Sequence, residues 1–488
     1  MKTQKLNIIP HPKKVTLGDC DAPLTFKGIS TTDGRLADHI SSFVSLVERI
    51  HGVSLTAEGG IKIELDARLG AGEYRLSVSE TDANIAAGDE DGATYALSTL
   101  TQLAAPCECG KGICLPRVEI EDKPDCEYRA LMVDLARKWH PFETLLGYVD
   151  LCYLYKIKFL HLHFIDTQSF TLPSRAFPKM PTEDRHYSFE QIDILNEYAR
   201  KKNIEIIPEM EVPGHAKAMV TAYPELFADT PVGEGKVDDY ALFFADVKKN
   251  IICVGKPGIM DTLRTLTEEI ISMFPYSRYL HIGGDEAAIG DWANCRDCTA
   301  YMKEHGIDGP RPLYTEFIKR MTDMVLELGK TPIVWEGFPK EGSETISKKV
   351  IVTAWESYYQ LAPELIEGGF KITNSSWEPL YTVPKGHRVV PSGRWTPEEV
   401  LDWNIYTWRN WNKKTAAYEK PIIIEPTDQV LGATFCAWEN NYEGEIDVVR
   451  ENLAAMSEKV WNINSDMTHE ELKESLEKLL PYARKITV

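Results

Sequence analysis

Two carboxylic acids, Asp285 and Glu286, stand side by side in the stretch YLHIGGDEAAIGDW, Tyr279 to Trp292, directly behind two glycines that close an apolar run. Along a strand, neighbouring side chains point to opposite faces. Beyond the strand end, on a glycine turn, both acids can swing toward one pocket. Acids so placed are candidates for chemistry in that pocket. The plainer alternative is a helix start, where Asp and Glu favour the first turn.

The elements that would carry such a pair are legible downstream of Tyr128. Eight apolar runs of strand length, ALMVDLA, KFLHLHFID, IEIIPEME, YLHIGGDE, PIVWEG, VIVTAWES, FKITNSS and LGATFCAW, alternate with amphipathic stretches of helical length. Eight β and α units in alternation predict a (β/α)8 TIM barrel; a doubly wound open sheet is the alternative. Upstream, short alternating strands and two helical patterns predict a small α/β domain. The expected boundaries are 1–122 for that domain, 123–460 for the barrel and 461–488 for a helical tail. In such a barrel the active site lies at the C-terminal ends of the strands. Asp134 and Arg137, Asp166 and Gln168, and Glu209, Glu211 and His215 end the first three strands. Trp335 and Glu336, Trp355 and Glu356, Trp377, and Trp438 and Glu439 end the later ones. Carboxylates beside indoles suit a sugar: ring faces pack on pyranose C–H groups and the acids accept hydroxyl protons.

The whole chain agrees with this reading. It has 488 residues, 43% hydrophobic, with a formal net charge of -20. An acidic balance argues against nucleic acid and anionic membranes as partners. No apolar run reaches membrane-spanning length and the N-terminal stretch has no signal-peptide core, so a cytoplasmic location is expected. The ten cysteines include two closely spaced groups, CECGKGIC (Cys107, Cys109, Cys114) and NCRDC (Cys295, Cys298). Four thiolates drawn from both groups can hold zinc; free cysteines on surface loops are the simpler reading. The sequence specifies no oligomeric state.

HIGGDE resembles the signature of the family 20 glycoside hydrolases, the β-N-acetylhexosaminidases. YRALMVDLARKWHP, YKIKFLHLHFIDTQSF, PEMEVPGHAKA, LYTV and FCAWEN resemble further segments of that family in the same order. The resemblance implies an exo-acting, retaining hydrolase without cofactor or metal. Its partner would be an oligosaccharide or glycoconjugate ending in an N-acetylhexosamine, whose own acetamido oxygen is the nucleophile. Glu286 would be the general acid/base, with a raised pKa, and Asp285 would orient the acetamido group. His215 with Asp166 would support the acid. Arg129 would hold sugar hydroxyls at the pocket floor, Trp335, Trp355 and Trp438 would form the walls, Tyr381 would bond the acetamido oxygen, and Glu439 and Asn440 would complete the rim. Two positions depart from the family pattern. Val383 stands where Tyr-x-Asp has its acid and Asn440 where Trp-x-Glu has its own. The resemblance therefore implies a pocket altered around O4 and O6, with Glu378, Glu439 or Asp402 available to compensate.

Two other readings fit parts of the sequence. HLH at a barrel strand is similar to the His-x-His of metal-dependent amidohydrolases, with His215 and His281 as further ligands. Against this, three more strand-like residues follow HLH, which buries both histidines in the barrel wall. A non-catalytic carbohydrate-binding barrel would need no proton donor beside an acetamido-orienting acid.

Overall fold

The computed structural model describes residues 6–18, 24–108, 112–229, 250–386 and 393–487. The first domain is a six-stranded sheet covered by two helices. Its strands are β1 (Lys14–Leu17), β2 (Gly28–Ser30), β3 (Thr56–Leu65), β4 (Tyr74–Val78), β5 (Ala83–Ala87) and β6 (Val118–Asp122), in the order β1-β6-β4-β5-β3-β2. Helix α1 (Ala37–His51) ends on Gly52, whose left-handed backbone (φ 69°) closes the last turn as the sequence suggests. Helix α2 (Glu90–Leu103) is almost wholly buried because it lies between this sheet and the barrel.

The eight apolar runs are the eight strands of a closed parallel barrel: β7 (Tyr128–Asp134), β8 (Phe159–His163), β9 (Glu205–Glu209), β10 (Tyr279–His281), β11 (Thr331–Trp335), β12 (Ile351–Ala354), β13 (Lys371–Asn374) and β15 (Val430–Ala437). Each pairs with the next and β15 pairs with β7, which closes the ring. A two-residue strand, β14 (Tyr381–Thr382), adds to the upper end of β15. The strands read as continuous apolar runs because both faces are covered: nearly every residue in them is buried. The surrounding helices include α3 (Phe142–Leu154), α4 (Phe189–Lys201), α5 (Ile259–Met273), α6 (Arg296–His305), α7 (Pro310–Glu327), α8 (Ala362–Glu367) and α9 (Tyr442–Trp461). The last helix, α10 (His469–Ile486), packs on α1, α3 and α9 and so touches both domains.

The domains join at the N-terminal ends of the strands. Ser98 Oγ and Gln102 Nε2 on α2 donate to the Leu154 carbonyl at 2.9 and 2.7 Å. Lys156 Nζ and Trp461 Nε1 meet the buried Asp122 carboxylate at 3.0 and 2.9 Å. Arg129 belongs to this joint. It is 1% exposed and donates to the Lys156 and Cys126 carbonyls at 2.9 and 2.6 Å and to the Tyr95 hydroxyl on α2 at 2.5 Å. Its expected place on a sugar-binding floor is therefore corrected: it lies at the opposite end of β7 from Asp285 and Glu286. No helix among the described residues is long and apolar enough to cross a membrane.

Candidate active site

At the C-terminal mouth of the barrel a cavity of about 230 Å3 is lined by Arg137, Asp285, Glu286, Trp335, Trp355, Glu356, Trp377, Tyr381, Val383, Asn410, Trp411, Asn412, Trp438 and Glu439. Its walls form one aromatic cluster. Trp377 stacks on Tyr381 with centroids 4.5 Å apart, Tyr381 lies parallel to Trp355, and Trp335 contacts both Trp355 and Trp438. Three polar atoms on these walls, Asp285 Oδ1, Tyr381 Oη and Trp438 Nε1, have no hydrogen-bond partner among the described residues. A ligand offering an N–H, a carbonyl and hydroxyls would satisfy them.

The two glycines bring both acids here. Gly283 and Gly284 have φ of 68° and 104°. A Cβ on Gly283 would sit 1.8 Å from the Glu211 carboxylate, so no other residue fits. Glu211 accepts the Gly284 N–H at 3.0 Å and props the turn from beneath. The next residues turn back. Glu286 itself has φ 44°, and its carboxylate and that of Asp285 lie 3.5 and 3.6 Å from the same His215 Nε2. The helix-start alternative fails, since no α-helix begins at this pair.

His215 is the middle of a relay. Its Nδ1 meets Asp166 at 3.2 Å. The other Asp166 oxygen takes Arg137 Nη2 at 2.7 Å and His163 Nε2 at 2.9 Å. His163 Nδ1 in turn meets Glu209 at 2.6 Å. Arg137 is set by Asp134, which accepts the Arg137 N–H at 2.9 Å and also the Glu439 N–H at 3.2 Å. The His215 loop touches the acid turn backbone to backbone: a Cβ on Gly214 would lie 2.9 Å from the Asp285 carbonyl oxygen.

Burial and charge sort these groups. Burial works against ionising Asp166, but His215⁺ and Arg137 outweigh it and hold its carboxyl well below the usual range. Burial likewise works against the His215 cation, and Asp166 and Glu286 override it, so the imidazole stays protonated well above its ordinary pKa. Asp285, desolvated and facing Glu286, is pushed up to about 6. Glu286 is lowered, first by its contact with His215. This reverses the expectation of a raised Glu286: in the open cavity its side chain is 54% exposed and that of Asp285 only 14%. Glu356, half-buried, is raised to about 8 by desolvation and by the charges of Glu286, Glu336 and Asp285.

Of the sequence-predicted residues, Glu286, Asp285, Trp335, Trp355, Tyr381, Trp438 and Glu439 line the cavity, with His215 and Asp166 directly behind it. Arg129 does not; Arg137, eight positions further along, lines the cavity instead. It follows the end of the first strand, the position that barrel geometry favours for function. Asn440 lies in an adjoining cleft with Lys138 and Gln168, and its carbonyl is bonded by His140. Asp402 binds His469 and does not line the cavity, and neither does Glu378. Asn410, Trp411 and Asn412 were not read from the sequence, because their loop has neither strand alternation nor helical spacing. The histidines of HLH are buried inside the barrel, as their position in the strand implies. His161 meets Glu209 at 2.9 Å and stacks on His281, while Trp335, bonded to the same Glu209, lies at the cavity wall. None of His161, Glu209 and His281 lines the cavity, so this cluster is not placed to act on a ligand there, contrary to the amidohydrolase alternative. Larger clefts exist, but the 570 Å3 one lies at the other end of the barrel, around Lys158, Glu205 and Arg278, and has no aromatic wall.

The cysteines depart from both expectations. Cys107 is disulfide-bonded, Cys109 lies outside the described residues, and Cys114 contacts Thr25 Oγ1 in the first domain. Cys295 and Cys298 are buried beside Cys253, not on a surface loop.

Residues 126–464 match the family described as "Glycosyl hydrolase family 20, catalytic domain", and residues 5–123 match "Glycosyl hydrolase family 20, domain 2". A β-hexosaminidase of Vibrio furnissii is 27% identical over 334 residues, 64% of this chain and 53% of its own length. One of Akkermansia muciniphila is 30% identical over 276 residues, 54% of this chain and 55% of its own. The chain thus spans about half the length of these curated relatives. Among solved structures, a Vibrio harveyi exo-β-N-acetylglucosaminidase in complex with N-acetylglucosamine superposes with a TM-score of 0.81 at 22% identity, covering 98% of this chain and 77% of that one. The fold is shared.

Proposed function

The chain belongs to glycosyl hydrolase family 20, and from that premise we propose that it is an exo-acting, retaining β-N-acetylhexosaminidase in which the substrate's acetamido oxygen is the nucleophile. One observation carries the proposal: His215, fixed by an Asp166 that Arg137 holds in turn, stands beside two carboxylates of different solvation at the mouth of an aromatic cavity.

A terminal sugar lies against the indole walls, with its acetamido group between the unpartnered Asp285 Oδ1 and Tyr381 Oη. Tyr381 donates to the acetamido carbonyl and turns it toward the anomeric carbon. Asp285 accepts the acetamido N–H and stabilises the positive charge that grows there as the carbonyl oxygen attacks. The C–O bond to the aglycone breaks as Glu286 gives its proton to the departing oxygen. The product of this step is a bicyclic oxazolinium. Glu286, now a carboxylate, takes a proton from water as that water adds to the anomeric carbon from the side the aglycone left. The ring opens, the acetamido group is regenerated, and configuration is retained after two inversions. A bound sugar strips water from the half-exposed Glu286 and raises its pKa toward the value an acid needs.

The substrate class follows from the lining. Val383 leaves an apolar wall, and Asn440 faces the adjoining cleft with Lys138, so Glu439 is the carboxylate at the rim beside Arg137. We propose terminal GlcNAc- or GalNAc-type sugars with room for a substituent at O4 or O6. A panel of aryl N-acetylhexosaminides, plain and 6-substituted, run with and without a thiazoline mimic of the oxazolinium, tests this. Cleavage blocked by the thiazoline is expected, with 6-substituted substrates at least as fast as plain ones. Resistance to the thiazoline contradicts the mechanism, and a strong preference for plain GlcNAc contradicts the pocket.

A further inference from the structure

Three sulfur atoms meet behind the active site. Cys253 Sγ lies 3.3 Å from Cys295 Sγ and 3.5 Å from Cys298 Sγ, and all three fall within 4.8 Å of one another. Each residue is fully buried. These separations are far beyond the ~2.05 Å of a disulfide. They are a few tenths of an ångström short of the ~3.8 Å edge of a thiolate tetrahedron built with zinc–sulfur bonds of about 2.3 Å. Cys295 caps the N-terminus of α6, a ten-residue helix, and Cys298 lies in its first turn.

The cluster ties together the segments that carry the catalytic groups. Cys253 ends a stretch that crosses them one by one. Thr167, next to Asp166, donates to the Asn250 side chain at 2.7 Å. The Ala216 N–H, next to His215, donates to the Asn250 carbonyl at 3.1 Å, and the Ile252 N–H donates to the Pro213 carbonyl at 3.0 Å. Trp292, six residues beyond Glu286, donates its indole N–H to the Ile252 carbonyl at 2.9 Å. Where Cys253 leads into the next turn, Gly255 lies so close to Cys298 that a Cβ would stand 2.5 Å from the Cys298 Cα. Cys295 and Cys298 anchor the far end of the loop that begins with Asp285 and Glu286.

We propose that Cys253, Cys295 and Cys298 form a structural site for a soft divalent cation, zinc above all, completed by one non-protein donor. The bound cation clamps the loops of Asp166, His215 and Asp285–Glu286 in register. Binding replaces thiol protons: each sulfur that ligates releases its proton to solvent, and no electron is transferred. The cation touches no substrate, so it is a positioning element. The proposal stands apart from the hydrolase reading, because it rests on the sulfur cluster and its loop contacts alone.

The test uses the full chain, purified under reducing conditions from zinc-supplemented cells. Elemental analysis is expected to find about one zinc per chain, released when a mercurial titrates the thiols. Cys253→Ser and Cys298→Ser are expected to lose it and to unfold at lower temperature. Because those variants can fail to fold, the wild-type chain is also exchanged with cobalt(II). Thiolate-to-cobalt charge-transfer absorption and intense tetrahedral bands in the red are expected. Metal-free protein that takes up neither zinc nor cobalt overturns the proposal. So does a peptide map showing two of the three sulfurs joined as a disulfide.

Discussion

Arg129 and Arg137 lie eight positions apart on and just beyond the same barrel strand, and they do opposite things. At the lower end Arg129 spends its guanidinium on two carbonyls and a tyrosine of the first domain. At the upper end Arg137 grips Asp134 and Asp166 and reaches the cavity. Arg129 is a buried cation, whereas Arg137 keeps part of its side chain at the cavity. Only the end of the strand distinguishes a joint from a site, as parallel barrels in general place chemistry at the C-terminal mouth. The contrast extends to the acids. Asp122, below, is enclosed by Lys156, Tyr74 and Trp461. Asp285, above, lines the cavity and keeps one buried oxygen without a hydrogen-bond partner.

The largest effect should come from the upper end. Glu286→Gln is expected to lower kcat/KM on an aryl N-acetylglucosaminide by about 10²–10⁴-fold, the usual contribution of a positioned acid/base, while the unfolding midpoint stays near that of wild type. A large loss of stability in this variant would blur the contrast between the two ends.

The arginine pair should split cleanly. Arg129→Ala leaves the Tyr95 hydroxyl and two carbonyls buried without their donor, and should cost about 3–5 kcal/mol of unfolding free energy. Its kcat/KM per folded molecule should change little. Arg137→Ala should cut kcat/KM by more than tenfold, and because it strips the buried Asp134 and Asp166 carboxylates of their cation it should cost stability as well. Denaturant titration beside steady-state kinetics decides, and an equal fall in kcat/KM per folded molecule from both variants would refute the division.

A smaller effect concerns the cost of an incomplete acid. Asp285 titrates at about 6 in the folded chain and near 3.9 unfolded. Its charge therefore destabilises the fold above pH 6, and this penalty vanishes as pH falls through 6 toward 4. Asp285→Asn should be the more stable protein at pH 7, by up to about 2–3 kcal/mol, and should lose that advantage at pH 4. A stability difference that does not vary with pH contradicts this.

The finest distinction is kinetic. Asp285 is raised to about 6 and Glu286 lowered beside the same His215, and the expected working form is the singly protonated pair. kcat/KM should accordingly fall as pH rises past about 6, where that proton leaves. A profile flat up to pH 8 would show that the pair does not titrate together.

Much of this was legible in the sequence. Eight β-branched, apolar runs bounded by turn residues announce a buried parallel sheet, since strands covered on both faces need no polar alternation. The adjacent acids after Gly-Gly were legible because glycine alone frees the backbone for that turn, and the Glu211 carboxylate in the space of a Gly283 Cβ supplies the physical reason. Arg129 was misplaced because a similar segment holds two arginines, and only depth along the strand separates them. Trp411 and its flanking asparagines were missed because loop residues reach a cavity through tertiary geometry alone. The order of the two acid pKa values was misjudged because solvation decides it, and neighbouring residues in sequence differ in exposure only once the turn is built. Cys253 was not joined to Cys295 and Cys298 because 42 residues of chain separate the first pair.

The central claim is that the substrate's own acetamido oxygen does the attacking at the Asp285–Glu286 pair. The most direct test measures kcat/KM for aryl 2-acetamido sugars whose acetyl methyl carries none, one, two or three fluorines. Each fluorine withdraws electrons from the carbonyl oxygen and leaves its position almost unchanged. A steep, progressive fall in rate along the series is predicted, and a rate insensitive to fluorination would contradict the account.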